Sequence, residues 1–367
     1  MFNGKMIKVS IFGQSHSPAV GMCIEGLPSG LAIDFDELNV FLRRRAPGNA
    51  AYSTQRSEAD KPEFLSGLAE GLTCGAPLAA IIRNTDMQSH DYDQIKDIPR
   101  PSHSDYPAYI KYGAAWDFRG GGAFSGRLTA PLCIAGGICL QLLKKKGIRI
   151  AAQITQIGKV KGRPFDPLNA GEEMNLLKDG VFPALNAEAG RLMLEAIEEA
   201  RQAGDSLGGI VQCAAVGVSQ GIGGPLFEGL ENRLASIIFA IPAVKGLEFG
   251  NGFDAAGLKG SENNDAFVMC NNTVKTKNNR HGGILGGISS GMPILFRAAF
   301  KPTPSIAIEQ DSISLSQLKN VKLSIKGRHD PCIVPRAVPV VEAAAAIAIY
   351  DAMLENNVSL AGCQDKA

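Results

Sequence analysis

Strand-like and helix-like segments follow one another along this chain without a steady β-α-β alternation, and that order limits the fold more than any composition figure. Residues 6–12 and 20–25 read as short strands flanking a polar turn over 13–17, which belongs at a sheet end. Asp34 stands three residues before Glu37, the spacing of a helix cap, and predicts a helix that runs to the arginines at 43–45. Over 52–104 short apolar runs are broken by Gly, Pro, Asn and Asp, which predicts antiparallel strands joined by long loops. Further helices are expected at 126–146, an apolar one after a glycine cluster, and at 186–202 and 335–354, both read as amphipathic. Strands at 147–156 and 209–218 fall between them. A doubly wound parallel sheet needs regular alternation, so the expected class is α+β.

By length alone 367 residues are enough for about two domains. The 42 glycines are spread along the chain, however, and no Gly/Ser or Pro-rich linker separates two units. One domain over 1–367 is therefore expected. With 37 basic and 36 acidic side chains the formal charge is +1, so the whole surface is not built to hold nucleic acid or an acidic membrane, and any anion site must be local. Eight cysteines occur with no C-x-x-C pair, which fits neither a zinc ribbon nor a disulfide scaffold. They read as reduced thiols of a cytoplasmic protein, and no metal site is expected. The opening MFNGKMIKVSIFGQSH turns polar too early for a signal peptide. The most apolar run, 130–143, is shorter than the ~20 residues of a membrane helix, so no span is expected.

Chemistry-bearing residues fall in a few places. Four of the five histidines (His16, His90, His103, His281 and His329) sit in turn-like segments beside Gly, Pro, Asp or Arg. Guanidinium groups concentrate in the first third, at Arg43, Arg44, Arg45, Arg56, Arg83, Arg100, Arg119 and Arg127. Their planar forks match carboxylate and phosphate in two-point contacts, so convergence on a small polyanion is one outcome and a solvated charged face the other. Glycine-rich segments at 120–126 and 282–291 resemble anion-binding turns, yet neither is followed by the G-K-[ST] of a Walker loop. The G-x-G-x-x-A match at 250–255 lacks βαβ context and is set aside. GQSHS at 13–17 approaches a nucleophile elbow, but bulky His16 follows the serine and Ser17 replaces the second glycine. A hydrolase is thus disfavoured, and an anion-binding scaffold leaves the histidines unexplained.

Taken in order, these segments resemble the chorismate synthase family over nearly the whole chain. FGQSHS at 12–17 is similar to the family's F-G-E-S-H-G, and RPSHSDY at 100–106 to R-P-G-H-A-D-Y. RRAPG (44–48), YSTQR (52–56), KYG (111–113), DFRGGG (117–122), AVKG (243–246), GGILGGIS (282–289), KPT (301–303) and GRHDP (327–331) follow. The resemblance implies a β-α-β sandwich, helices packed between antiparallel sheets, assembled as a homotetramer. It implies anti-1,4-elimination of phosphate from 5-enolpyruvylshikimate 3-phosphate to give chorismate, the last shikimate-pathway step, with reduced FMN required although nothing is oxidised overall. Alternatively, a relative that has lost this chemistry would be left as an anion-binding or hydrolase-like protein.

Carried over by motif, His103 protonates the departing phosphate, and His16 holds a proton near the reduced flavin. Asp330 assists removal of the ring hydrogen, and Ser15 supports as a polar group. Arg45, Arg119, Arg127 and Arg336 face the substrate. Ser125, Ala243, Gly286, Lys301, Thr303, Ser305 and Arg328 contact FMN. Departures from the family are Gln14, Ser17, Ala51, and GAFSGRLT at 122–129 where G-R-S-S-A-R-E-T is usual, so Ala123 and Phe124 can offer only backbone or stacking contacts. Ala51 removes an arginine attributed to NADPH or substrate binding. No insertion reads as a flavin-reducing module, so an external reductase is the expected partner, with NADPH needed only if reduction is intrinsic.

Overall fold

The computed structural model describes residues 1–48, 60–84, 96–177, 182–325 and 330–364. Among these lie eight α-helices: α1 Phe35–Arg45, α2 Asp105–Tyr112, α3 Thr129–Lys145, α4 Ala170–Glu173, α5 Ala187–Gln202, α6 Leu230–Ile238, α7 Gly260–Asn263 and α8 Val334–Gln364. Two five-stranded antiparallel sheets enclose α3 and α8. The first runs in the order Phe2–Asn3, Lys8–Gly13, Ala19–Glu25, Leu78–Arg83, Glu63–Ser66. The second runs Val244–Phe249, Ile294–Phe300, Gly209–Val216, Arg149–Ile157, Val160–Lys161.

Helix α3 packs on Ala19–Glu25 and Leu78–Arg83 of the first sheet, α8 packs on Arg149–Ile157 and Gly209–Val216 of the second, and the two helices pack on each other. This is the expected β-α-β sandwich in the α+β class. Its centre is continuous: Met22 and Ile24, Ile134 and Ile138, Val341 and Ile349, and Ile154 and Phe296 are all within 1% of full burial. Each such aliphatic side chain withdrawn from water contributes roughly 1.5–3 kcal/mol. The crossing of α3 over α8 depends on small residues. A Cβ on Gly136 would lie 2.3 Å from the Cβ of Ala343, so only glycine lets the axes approach this closely.

Local signals explain several boundaries. Asp34 accepts from the Glu37 amide at 2.9 Å and starts α1, and Asn186 accepts from Ala189 at 2.8 Å and starts α5. Two expectations need correction. Helix α8 runs to Gln364 rather than 354, and it is buried on every side from Val338 to Met353 rather than amphipathic, because its four consecutive alanines sit against both α3 and the second sheet. The length argument against membrane spans also changes. The stretches Arg119–Lys145 and Val334–Asn357 are long and apolar enough to cross a bilayer, but 78% and 94% of their apolar windows are buried inside the fold, as core helices require.

Candidate active site

The first sheet ends in the histidine loop. After Lys8–Gly13 the chain turns over 14–18, and Ser17 Oγ closes the turn, accepting from the Gln14 amide at 2.8 Å and donating to the Ala19 carbonyl at 2.7 Å. Asn84, just past the neighbouring strand, donates to the Ser17 and Gln14 carbonyls at 2.7 and 3.2 Å. On the opposite side the Ser15 amide donates to the Gly122 carbonyl at 3.1 Å. Ser15 and His16 are thereby buried at 2% and 6% exposure beneath the glycine segment 120–122. That segment has φ of +58°, +85° and +52°, and a Cβ on Gly120 would fall 2.4 Å from Ser15 Oγ and 2.5 Å from His16 Cε1.

Arginines converge on a single carboxylate. Arg45, the last residue of α1, pairs with Asp60 at 2.6 Å, and Arg127, just before α3, pairs with the other oxygen of Asp60. All three side chains are nearly fully buried. Arg45 Nε also donates to Thr129 Oγ1 at 3.1 Å, and Arg127 Nε to Asn84 Oδ1 at 3.0 Å, which ties the arginines to the histidine loop. Burial alone would raise the Asp60 pKa, but the Arg45 and Arg127 guanidiniums outweigh it and hold the carboxyl below the usual range. In the first turn of α8, Arg336 pairs with Asp330 and donates from Nε to the Arg45 carbonyl at 3.0 Å.

His103 stands on the turn before α2. Its Nδ1 lies 2.6 Å from Asp105 Oδ1, and Arg100 grips the same carboxylate from Nε at 2.7 Å and Nη2 at 2.8 Å. Burial presses the His103 pKa down, the hydrogen bond to Asp105 presses it up, and Arg100 and Lys301 press it down again; the balance lies below the ordinary histidine value.

These elements surround one cleft of about 650 Å3. It opens where the C-terminus of α1 meets the N-termini of α3 and α8, so the positive ends of two helices face it. Of the residues expected from the sequence, His16, His103, Asp330, Arg45, Arg127, Arg336, Ser125, Ala243, Lys301, Thr303 and Ser305 line it. Ser15 lies directly behind His16 and Gly120. Two expected residues are not brought in. Arg119 is held by its neighbour Asp117 in a two-point pair at 2.8 and 3.1 Å and is 43% exposed. Gly286 sits in the turn between the strands Ile284–Leu285 and Ile288–Ser289, apart from the cleft. Arg328, with Ala51, Arg56, His90 and His329, lies outside the described residues.

On the far wall Lys301 and Lys245 form no ion pair with the described residues, and burial followed by the nearby Lys245 charge lowers the Lys301 pKa. Thr303 Oγ1 is buried beside them without a hydrogen-bond partner among the described residues. Two ammonium groups and an unsatisfied hydroxyl suit the phosphate of a cofactor. Among the described residues, counting Asp60 and Asp105 behind the wall together with Asp330, six cations (Arg45, Arg100, Arg127, Lys245, Lys301 and Arg336) face three carboxylates, an excess of three positive charges. Asp60 lies in no motif, and Asp105 and Lys245 fall within the RPSHSDY and AVKG segments without being singled out there. For Asp105 a signal exists, the spacing R-x-x-H-x-D over 100–105; for Asp60 there is none.

Comparison with known proteins identifies relatives over nearly the whole chain. A family model described as "Chorismate synthase" matches residues 7–354. Curated relatives named chorismate synthase include one from Korarchaeum cryptofilum, 45% identical over 96% of this chain and 97% of its own. Another, from Pyrococcus abyssi, is 47% identical over 97% and 98%. A third, from Lancefieldella parvula, is 44% identical over 95% of each chain. A solved structure titled "Crystal Structure of Chorismate Synthase" superposes with a TM-score of 0.76 at 28% identity, covering 96% of this chain and 93% of that one.

Proposed function

The chain belongs to the chorismate synthase family, and from that membership we propose how its cleft carries out the family's reaction. The enzyme is a carbon–oxygen lyase of aromatic biosynthesis that eliminates phosphate from 5-enolpyruvylshikimate 3-phosphate to give chorismate. The substrate carries one phosphate and two carboxylates. The observation that carries the reading is the convergence of His16, His103 and six cations on one cleft.

Arg45, Arg127 and Arg336 bind and orient the anionic groups, and their fixed ion pairs leave little to reorganise as charge builds on the leaving phosphate. His103 donates the proton that phosphate takes as the carbon–oxygen bond breaks. His16, with Ser15 behind it, holds a proton under the glycine segment, and Asp330, just before α8, adds a carboxylate to the lining. Lys301, Thr303, Ser305, Ser125 and Ala243 hold FMN, with Lys245 added to the residues expected from the sequence. The two ammonium groups, which make no ion pair with the described residues, and the Thr303 hydroxyl, unpartnered among those residues, support that fit. The chemistry a reduced FMN bound there would supply is electron density to the allylic system of the substrate.

Reduced flavin reaches the enzyme from an external reductase in this reading. Assembly as a homotetramer is supported by exposed apolar side chains such as Phe227, Phe253, Phe267 and Met269, at 68% exposure or more. A cytoplasmic location is supported by free thiols at Cys23, Cys74, Cys133, Cys139, Cys213, Cys270 and Cys332.

An anaerobic assay of phosphate and chorismate tests the whole reading, comparing photoreduced FMN, oxidised FMN, and oxidised FMN with NADPH. Product with reduced FMN alone is expected. Product with NADPH and oxidised FMN would assign flavin reduction to this chain, and no product in any arm would overturn the reading. In the same assay His103→Ala is expected to keep FMN binding and to slow phosphate release by roughly 100-fold or more, the scale of a lost general acid.

A further inference from the structure

The imidazole of His103 is held from three directions. Asp105 Oδ1 lies 2.6 Å from Nδ1, and Asp105 is itself only 1% exposed. Arg100 fixes the carboxylate from its backbone amide at 3.0 Å and Nε at 2.7 Å, both to Oδ2, and from Nη2 at 2.8 Å to Oδ1. Across the ring stands Gly121, where a Cβ would approach Cε1 and Nε2 to 3.3 and 3.4 Å. Lys301, just past the strand Ile294–Phe300, faces the ring with its charge, and Ser104 Oγ lies 3.4 Å from Nδ1.

An ionised carboxylate only accepts hydrogen bonds, so a ring nitrogen 2.6 Å from it must carry the proton. Arg100 Nη2 also lies 3.1 Å from Nδ1, but it is a donor with Asp105 Oδ1 as its acceptor, so it does not compete for that nitrogen's proton. Nδ1 is therefore committed, and Nε2 is the ring atom left for a ligand, on the side where Gly121 has no side chain. Among the groups facing the ring, Arg100 and Lys301 oppose an imidazolium and Asp105 favours it.

We propose that Asp105 is a positioning residue: it fixes His103 in the tautomer protonated on Nδ1 and holds Nε2 toward the cleft as the atom that exchanges a proton. The arrangement gives the general acid a defined direction, and it rests on the reading of His103 as the donor to phosphate. Arg100 acts one step further back, since without it Asp105 would be free to turn away from the ring.

The test uses the full-length enzyme labelled with 15N at histidine, in which only five rings contribute and His103 is identified by its loss in His103→Gln. Long-range 1H–15N spectra read the tautomer and the titration of each ring. The neutral His103 ring of the wild type is expected to carry its proton on Nδ1. In Asp105→Asn the His103 midpoint is expected to fall by about one to three pH units, the effect of losing an adjacent opposite charge. Asp105→Glu, which keeps the charge, is expected to recover part of that shift. The falling limb of the kcat/KM profile, which reports the free enzyme's acid, should move with the midpoint. A residue that only supported the turn would lower the rate at all pH values and leave the midpoint in place. A neutral wild-type ring protonated on Nε2, or an unchanged midpoint in Asp105→Asn, overturns the proposal, and the wild-type spectrum decides the tautomer even if the variant does not fold. Normal phosphate release by His103→Ala would instead remove the donor role of His103 while the spectra still decide the pairing.

Discussion

At the scale of single residues, the cleft is shaped by buried carboxylates that stand behind its wall. Asp60 is the clearest case, because its two oxygens hold Arg45 and Arg127 separately and the three side chains are nearly fully buried. Asp60→Asn leaves one oxygen for two guanidiniums. It is expected to cost about 3–5 kcal/mol, the range for breaking a buried pair. The sign of the pH dependence follows from the lowered pKa of Asp60. Its stabilisation is fully present above the unfolded carboxylate pKa of about 3.9 and disappears as pH falls through the lower folded value. Denaturant unfolding at pH 7 and near pH 3 should therefore show a large deficit for the variant at pH 7 that narrows in acid. An equal deficit at both would mean the lost interaction was not ionic. Little of this is legible in the sequence. Arg45 and Arg127 stand out by type and by neighbouring glycines, whereas the carboxylate that orders them comes from a segment, EADK at 58–61, with no motif character. Pairing across 67 residues of chain leaves no local trace.

At the scale of elements, caps and glycines are readable and layer order is not. Asp34 and Asn186 announce α1 and α5 because a cap is a contact over three residues, visible in a short window. Helix α2 has eight residues with a proline at the third, too short for a periodic pattern, so the sequence gives no sign of it although it carries Asp105. The end and the faces of α8 are misleading in sequence because alanine satisfies a buried and an exposed pattern equally. The glycine segment before α3 does signal a special backbone, and its role here is to make room for the histidine loop. Gly120→Ala has to adopt φ +58° and place a methyl within 2.5 Å of Ser15 and His16. A loss of about 1–3 kcal/mol is expected, together with a fall in turnover larger than stability alone explains, since the displaced atoms are those of the site. Gly260→Ala is the contrasting case. It lies at the first turn of α7 with open space around it and no positive φ, so thermal unfolding and turnover should stay close to wild type. If both variants behave alike, the glycine segment does not set the position of His16.

At the scale of the whole molecule, the two ends of the chain are tied together by one buried side chain. Asp351, in the middle of α8 and 1% exposed, accepts from the backbone amides of Lys5, Met6 and Ile7 at 3.1, 2.8 and 2.9 Å and from Arg233 at 3.2 Å. Those amides precede the strand Lys8–Gly13, whose far end carries Ser15 and His16, while the first turn of α8 carries Arg336, paired with Asp330 just before the helix. The same carboxylate thus fixes the register of the first sheet against the helix that forms the other wall of the cleft. Asp351→Ala removes the acceptor of three amides and one guanidinium at once. A penalty of about 1–3 kcal/mol is expected, from amides left without an acceptor, since Arg233 keeps its pairs with Glu228 and Glu355. The shape of the transition carries the further information. If residues 1–367 fold as one unit, as the absence of a linker in the sequence leads us to expect, the variant should unfold in a single transition, monitored by circular dichroism and by Trp116 fluorescence together, with a lower midpoint and an unchanged slope. Because association with further copies adds to stability by mass action, wild type and variant have to be compared at equal protein concentration. Two separated transitions, only one of them shifted, would mean that the sheets unfold independently and that the cleft forms when two preformed halves meet.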